Sequence, residues 1–327
     1  MIDFCVLGSG LSGSTIANLL KSKYSIQIIE KAKGIGGRTS NKKMGSSISF
    51  DHGLQYYSSK NKKFKEFLNK LIQKDILKQW EGDHIDFTFK KNTNSRKVIG
   101  VKGNNDFNKY LLGNIKKNLG EEITNIVFRK TYWEIVSKDN KFKAKNIIIT
   151  FPFEQTKKLA KKYLSQSFLN LNVKMTPNIT LLLKQKTRCK IPISSIKLNN
   201  KIITWAANEN RKKRFSSSEN YWTIQTAENY SKKIINKYKK KKNYYSRQIT
   251  KEFAHVLGVD YKTFKVFKIH GWKYSSNNKR TRKECYWDSK FRIGLCGDWF
   301  IGPKADSAWL SANNLYKQIK KNPPKNN

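Results

Sequence analysis

The chain has 327 residues, 38% of them hydrophobic and 13% aromatic. That is too long for one small module and apolar enough to bury a sizeable core, which excludes wholesale disorder. No run approaches the roughly 18 apolar residues of a membrane span. The four cysteines, Cys5, Cys189, Cys285 and Cys296, are scattered, which argues against a disulfide scaffold or zinc ribbon.

Lys+Arg number 67 against 23 Asp+Glu, a net charge of +44. Such a balance raises a nucleic-acid reading. The excess is nearly all lysine, however, spread along the chain beside many asparagines and isoleucines. Only ten of the cations are arginine, the residue preferred for bidentate phosphate contacts. The densest run, Lys237 with Lys239, Lys240, Lys241 and Lys242, fits a solvated face. A nucleic-acid partner is therefore not expected, although the field attracts small anions.

The chain opens on an apolar run, Ile2 to Leu7, that suits a buried parallel strand. Gly8-Ser9-Gly10-Leu11-Ser12-Gly13 follows, then a helix over Ser14 to Lys21, then a strand, Ser25 to Glu30, ending in an acid. This βαβ start leaves no room for a cleavable signal peptide, and with dispersed cysteines it points to the cytoplasm. A helix is expected over 61–80, strands within 84–101 around a polar turn at Asn92 to Ser95, and a helix over 107–119. A strand pair is expected at Ile123 to Lys130 and Tyr132 to Lys138, and a buried strand over Asn146 to Phe151. Beyond about 155 the texture changes: strand-like alternation at Ile179 to Leu183, Ile202 to Ala206 and Tyr221 to Gln225 is mixed with a helical stretch over 229–257. The last forty residues return to α/β, with a strand over Phe291 to Cys296, a break at Gly297-Asp298 and a helix over Ser307 to Lys320.

A GxGxxG between strand and helix, with an acid at the end of the next strand, is a dinucleotide-binding signal. Gly8 allows the tight turn, Gly10 lets backbone approach a pyrophosphate, and Gly13 lets helix and strand pack closely. The helix N-terminus offers free N–H groups to phosphate. Glu30 can accept hydrogen bonds from an adenosine ribose, and Lys31 follows it. The next segment, Gly34-Ile35-Gly36-Gly37-Arg38-Thr39, resembles the second flavin-binding motif of the two-dinucleotide-binding-domain flavoproteins, in which glycines approach the pyrophosphate and the arginine neutralises it.

Phe50-Asp51-His52-Gly53-Leu54-Gln55-Tyr56-Tyr57 resembles the corresponding segment of renalase-like proteins, in the amine-oxidase superfamily of FAD enzymes. Trp205 to Arg214 with Tyr221 to Gln225, His270 to Tyr274, and Gly294 to Trp299 with Ala308 to Ser311 resemble further segments of that group. Gly271 stands where the family carries arginine. The resemblance implies an α/β fold: a Rossmann-like FAD-binding domain with an inserted α+β substrate domain built on a mixed sheet. The pieces would be 1–60, 101–155 and 288–327 for the FAD domain, and 61–100 and 156–287 for the substrate domain.

By the same resemblance, Gly8, Gly10, Leu11, Ser12 and Gly13 form the phosphate loop, Glu30 and Lys31 lie at the ribose, and Gly36, Gly37 and Arg38 at the pyrophosphate. Gly53, Leu54 and Gln55 run beside the isoalloxazine, and Ile126 meets the adenine. Gly297 and Asp298 reach the ribitol or pyrophosphate, and the helix carrying Ala308 aims its N-terminus at the flavin. Gln55, Trp222, His270 and Trp272 would line the substrate side. The cofactor implied is non-covalent FAD, with no metal. The implied reaction is hydride transfer from an isomeric dihydronicotinamide dinucleotide to flavin N5, with electrons passing to O2 to give H2O2. The alternatives are an amine oxidase or desaturase on the same scaffold, or, from another class, a non-catalytic flavin-binding or basic nucleic-acid-binding protein.

Overall fold

The computed structural model describes residues 1–86, 88, 96–186, 192–277 and 279–324; Cys189 and the turn expected at Asn92 to Ser95 lie outside the described residues. The chain begins with β1 (Ile2–Leu7), α1 (Leu11–Leu20) and β2 (Ile26–Glu30), followed by the hairpin β3 (Asn41–Met44) and β4 (Ile48–Asp51). Then come α2 (Lys62–Gln73), β5 (Leu77–Gln79), β6 (Asp83–Ile85) and β7 (Val98–Gly100). The next stretch holds α3 (Asp106–Leu112), β8 (Lys116–Leu119), β9 (Ile123–Phe128), β10 (Trp133–Ser137) and β11 (Lys141–Ile149). The middle of the chain supplies α4 (Phe153–Ala160), α5 (Gln166–Leu169), β12 (Met175–Gln185), β13 (Ile193–Lys197), β14 (Ile203–Asn208), β15 (Asn220–Thr226), α6 (Glu228–Ile234), α7 (Lys242–Leu257) and β16 (Phe264–Asn277). It closes with β17 (Tyr286–Asp288), β18 (Ile293–Leu295) and α8 (Ala305–Lys321).

Among the described residues, one sheet runs β17-β18-β11-β1-β2-β8, with β10 and β9 attached to the first half of β11. Its centre is parallel: Val6 stands opposite Ile148 on one side and Ile28 on the other. Both faces are covered, which is why these strands read as unbroken apolar runs. Phe4, Val6 and Ile28 face Ile16, Ala17 and Leu20 of α1 and Ala312, Leu315 and Ile319 of α8. Cys5, Leu7 and Ile29 face the opposite way, into a cluster with Trp133, Phe153 and Trp299.

The second sheet runs β16-β12-β15-β14-β13-β6 and is mostly antiparallel, with β6 parallel to β13. One of its faces carries Ile179, Leu181, Leu183, Trp222 and Ile224 against Ile249 and Phe253 of α7. The other face carries Leu182 and Tyr221 against Phe50 of β4, and Ala207 and Trp205 against Trp80, Ile99 and Tyr56.

Several element lengths differ from expectation, each for a local reason. The helix expected over 61–80 stops at Gln73, because Asp75 takes a left-handed backbone (φ 53°) that an acid tolerates better than most side chains. The helix expected over 107–119 ends at Leu112 before Gly113, and the residues beyond form β8. The helical stretch 229–257 is two helices, broken where the close-set lysines from Lys237 to Lys242 would crowd like charges onto adjacent turns. The strands expected in 84–101 go to different sheets: β6 to the second, β7 to a ribbon with β5. Among the described residues no helix is long and apolar enough to cross a membrane.

Candidate cofactor and substrate site

The loop from β1 to α1 has the sterics that its glycines announce. A Cβ on Gly13 would come within 2.0 Å of the Gly8 carbonyl oxygen, so only glycine lets the helix sit this close to the strand. At Gly10 nothing lies within 4 Å of the position a Cβ would take. No side chain caps α1, so its first N–H groups open onto that space. The second glycine segment borders it, with Gly10 bridging Gly36 and the Gly36 N–H donating to Ser9 O at 3.2 Å.

Glu30 is buried at the end of β2. One carboxylate oxygen accepts from the N–H and hydroxyl of Ser9, both at 2.8 Å, and the other from the N–H of Ala32 at 2.9 Å. The acid thus ties the loop between β1 and α1 to the end of β2. Lys31 beside it is exposed. Ser12 donates to Ala308 O at 3.2 Å, tying α1 to α8. Ile126 contributes its side chain to the apolar cluster under β2, and its N–H donates to Asn125 Oδ1 at 2.9 Å.

Arg38 and Asp298, 260 residues apart, meet in a bidentate pair at 2.5 and 2.7 Å. Gly297 is extended and allows the close approach of the Trp299 ring, which a Cβ would meet at 2.5 Å. Gly53 lies where the two sheets come together. Its Cβ position is 2.1 Å from Arg38 O and 3.3 Å from the Trp272 ring. The N–H of Leu54 donates to Arg38 O at 2.8 Å, and Gln225 Nε2 donates to Gly53 O at 2.6 Å.

His270 and Trp272 project from β16 toward this junction. Their ring centroids are 4.4 Å apart, and each lies 5.2 Å from His52. Trp272 Nε1 donates to His52 O at 2.9 Å. Burial lowers both histidines to about 4, helped for His52 by His270 and Lys268 and for His270 by Lys268 and Lys239. At neutral pH both are uncharged. Gly271 points to the other side, under Tyr238 and Ile235 of the helical layer, so this position contributes nothing to the junction.

Gln55 joins this junction and Trp222 does not. Gln55 is buried and its Nε2 donates to Asp51 O. Trp222 is fully buried among Ile224, Ile249 and Phe253, and donates Nε1 to Gln185 Oε1 at 3.0 Å. Side chains alternate along a strand. Tyr221, Thr223 and Gln225 therefore face the junction, and Trp222 faces α7. The substrate-lining expectation for Trp222 is corrected on that ground.

Sequence reading missed a buried ionic network beside Gln55. Lys212, with no side-chain exposure, lies 2.8 Å from Asp51 and 3.0 Å from Glu209, and Arg214 pairs with Asp51 at 2.5 Å. Burial opposes ionisation of Asp51, but Arg214 and Lys212 overcome it and hold its carboxyl well below the usual range. Burial pushes Glu209 up, and Lys212 offsets this in part. Next to this network, a cavity of about 340 Å³ opens between Tyr56 and β14. The available signal was an acid three residues before a lysine, Glu209 and Lys212, hidden among so many solvated lysines.

An NAD(P)-binding Rossmann-like domain model matches residues 6–71. An uncharacterized protein of Methanocaldococcus jannaschii is 35% identical over 85 residues; the match spans 25% of this chain and 22% of that protein. The crystal structure of a putative protoporphyrinogen oxidase from Exiguobacterium sp. 255-15 superposes with a TM-score of 0.71 at 10% identity, covering 98% of both chains. Wild-type putrescine oxidase bound to putrescine superposes with a TM-score of 0.67 at 10% identity, covering 98% of this chain and 99% of that one. At such identity the likeness is one of fold alone: the chain carries an N-terminal Rossmann-like domain and, over nearly its whole length, shares the α/β fold of these two oxidase structures.

Proposed function

We propose that this protein is an FAD-dependent oxidoreductase that oxidises a small donor at the junction around Gly53. The observation that carries the reading is the empty space at Gly10, beside an uncapped helix N-terminus and next to the Glu30 carboxylate. A pyrophosphate suits such a space, because free N–H groups and a positive dipole end face it. Gly8 to Gly13, Glu30, Lys31, Gly36, Gly37 and the Arg38–Asp298 pair would hold the cofactor non-covalently, with Gly53, Leu54 and Gln55 along its ring, Ile126 at its adenine end and α8 from Ala308 beside it.

The chemistry that FAD would supply when bound is a hydride acceptor with O2 as the final electron acceptor, giving H2O2. The chain's own share is orientation and dryness. Trp272 and His270 give a wall that is aromatic and uncharged at neutral pH. A donor that is already reactive needs alignment more than a base, which favours a dihydronicotinamide isomer. The likeness in fold to a putrescine oxidase favours an amine as the second reading. Cys5, Cys285 and Cys296 are free thiols, in keeping with a cytoplasmic setting. The first sheet and its helices would form the cofactor domain in three pieces, with the second sheet as the substrate domain.

The test is the visible absorbance spectrum of the purified protein before and after denaturation. Flavin bands whose chromophore is released on denaturation are expected. Glu30→Ala removes the acceptor and loosens Ser9 and Ala32, so it should retain less than about a tenth of the flavin after dialysis. Lys240→Ala with Lys241→Ala should retain it all. Equal flavin content in the two variants would overturn the reading.

A further inference from the structure

The cavity between Tyr56 and the second sheet is about 340 Å³, the size of a small-ligand pocket. Its wall includes Tyr56, His84, Lys97, Ser195, Lys197 and Trp205, and among the described residues no carboxylate lines it. Lys97 is only 4% exposed and its Nζ has no hydrogen-bond partner. The buried Trp205 Nε1 has none either, nor does Trp80 Nε1 nearby. Lys97 Nζ lies 5.4 Å from the Tyr56 ring centroid, a contact that leaves its N–H donors unused.

His84 does not supply the missing acceptor. Its Nε2 lies 3.0 Å from Trp80 O, which can only accept, so Nε2 carries the proton. Nδ1 then accepts from Ser195 Oγ at 2.8 Å, and both nitrogens are used. Burial lowers His84 and Lys97 below their ordinary values. The pocket thus presents buried donors in excess of acceptors, which is costly unless a ligand supplies acceptor oxygens.

We propose that this cavity binds the anionic group, carboxylate or phosphate, of the molecule that the protein oxidises, with Lys97 Nζ and Trp205 Nε1 as donors and the exposed Lys197 at the mouth. The identification of the ligand as the oxidised molecule rests on the oxidoreductase reading; the anion site itself does not. The sheet links the two places. Trp205 stands opposite Gln225 in the β14–β15 register, and Gln225 donates to Gly53 O. Gln225 in turn stands opposite Thr180, and Thr180 opposite His270. With strands about 4.8 Å apart, a ligand anchored at Lys97 would extend along this row toward His270 and Trp272.

The test titrates the purified protein with benzoate and, separately, with phenyl phosphate, reading tryptophan fluorescence and thermal midpoint, with benzyl alcohol as the uncharged control. Saturable binding of at least one anion and none of the alcohol is expected. Tighter benzoate identifies a carboxylate, tighter phenyl phosphate a phosphate. Lys97→Met should weaken binding at least about tenfold, and Trp205→Phe, which keeps the ring and removes the N–H, by several-fold. Lys240→Met on the exposed surface should leave it unchanged, which separates the pocket from the general positive field. Absence of saturation for both anions, or wild-type affinity in Lys97→Met, would overturn the proposal; should Lys97→Met not fold, the same criterion applies to Trp205→Phe. Flavin content is read in parallel. A colourless protein with Lys97-dependent binding loses the flavin reading and keeps the anion site, whereas a flavin-loaded protein without such binding does the reverse.

Discussion

His52 and His270 stand edge-on beside Trp272, each lowered from 6.5 to about 4 by burial and neighbouring charge. In the unfolded chain both protonate below about 6.5. Between that value and about 4 the unfolded state binds more protons, so stability rises with pH there and is lost as pH falls through the window. Asp51 adds to the loss at lower pH, since its depressed carboxyl stabilises the fold above the ordinary carboxylate range. The thermal midpoint should therefore fall on acidification from pH 6.5, and replacing both histidines by Gln should flatten that slope. An unchanged slope in the double variant would mean that these rings are not the titrating groups. At this scale the sequence was legible wherever local sterics decide, as at Gly13 under the Gly8 carbonyl. It was illegible for Lys97 and Lys212, because a buried lysine and a solvated one are the same letter among so many cations.

Strand β15 shows what a single element decides. Its alternation sends Tyr221, Thr223 and Gln225 to the junction and Trp222 to α7. An aromatic count in the segment could not tell the two faces apart, whereas parity could have: Trp222 and Gln225 are an odd number apart. Trp222→Phe should cost about 1–3 kcal/mol, because it opens a void and leaves the buried Gln185 Oε1 without its donor. Urea unfolding measures this. Flavin content and the rate of flavin reduction should stay at wild-type values; a slowed reduction would put Trp222 back in the site. The ionic network around Lys212 is the counterpart on the other face. Removing one partner of such a buried group costs about 3–5 kcal/mol, because a charge is stranded, so Lys212 and Arg214 fix how β14 and its following turn meet Asp51 of β4.

Across the whole molecule, a net charge of +44 is a self-repulsion that the fold carries at all times. Raising ionic strength from about 10 mM to about 150 mM shortens the screening length from roughly 30 to 8 Å, so the thermal midpoint should rise over that range. A midpoint that is flat or falls with added salt would mean that attractive pairs such as Arg38–Asp298 outweigh the repulsion. The βαβ opening and the closing α/β pattern were legible at this scale because the apolar runs of parallel strands survive any surface composition. The pairing of the second sheet was not, since its partners are set by contacts between segments as distant as β6 and β13.

The order of strands in the first sheet bears on how the chain is made. β11 is flanked by β1 on one side and by β18 on the other, and β18 follows only after the whole second sheet has been threaded. Until Ile293 to Leu295 leave the ribosome, the edge at Ile147, Ile148 and Ile149 has no permanent neighbour, and α1 lacks the helix that covers it. Synthesis therefore passes through a long interval in which a β-branched apolar edge is open to mispairing. A ribosome stalled within the second sheet would release a sticky fragment instead of a smaller working domain.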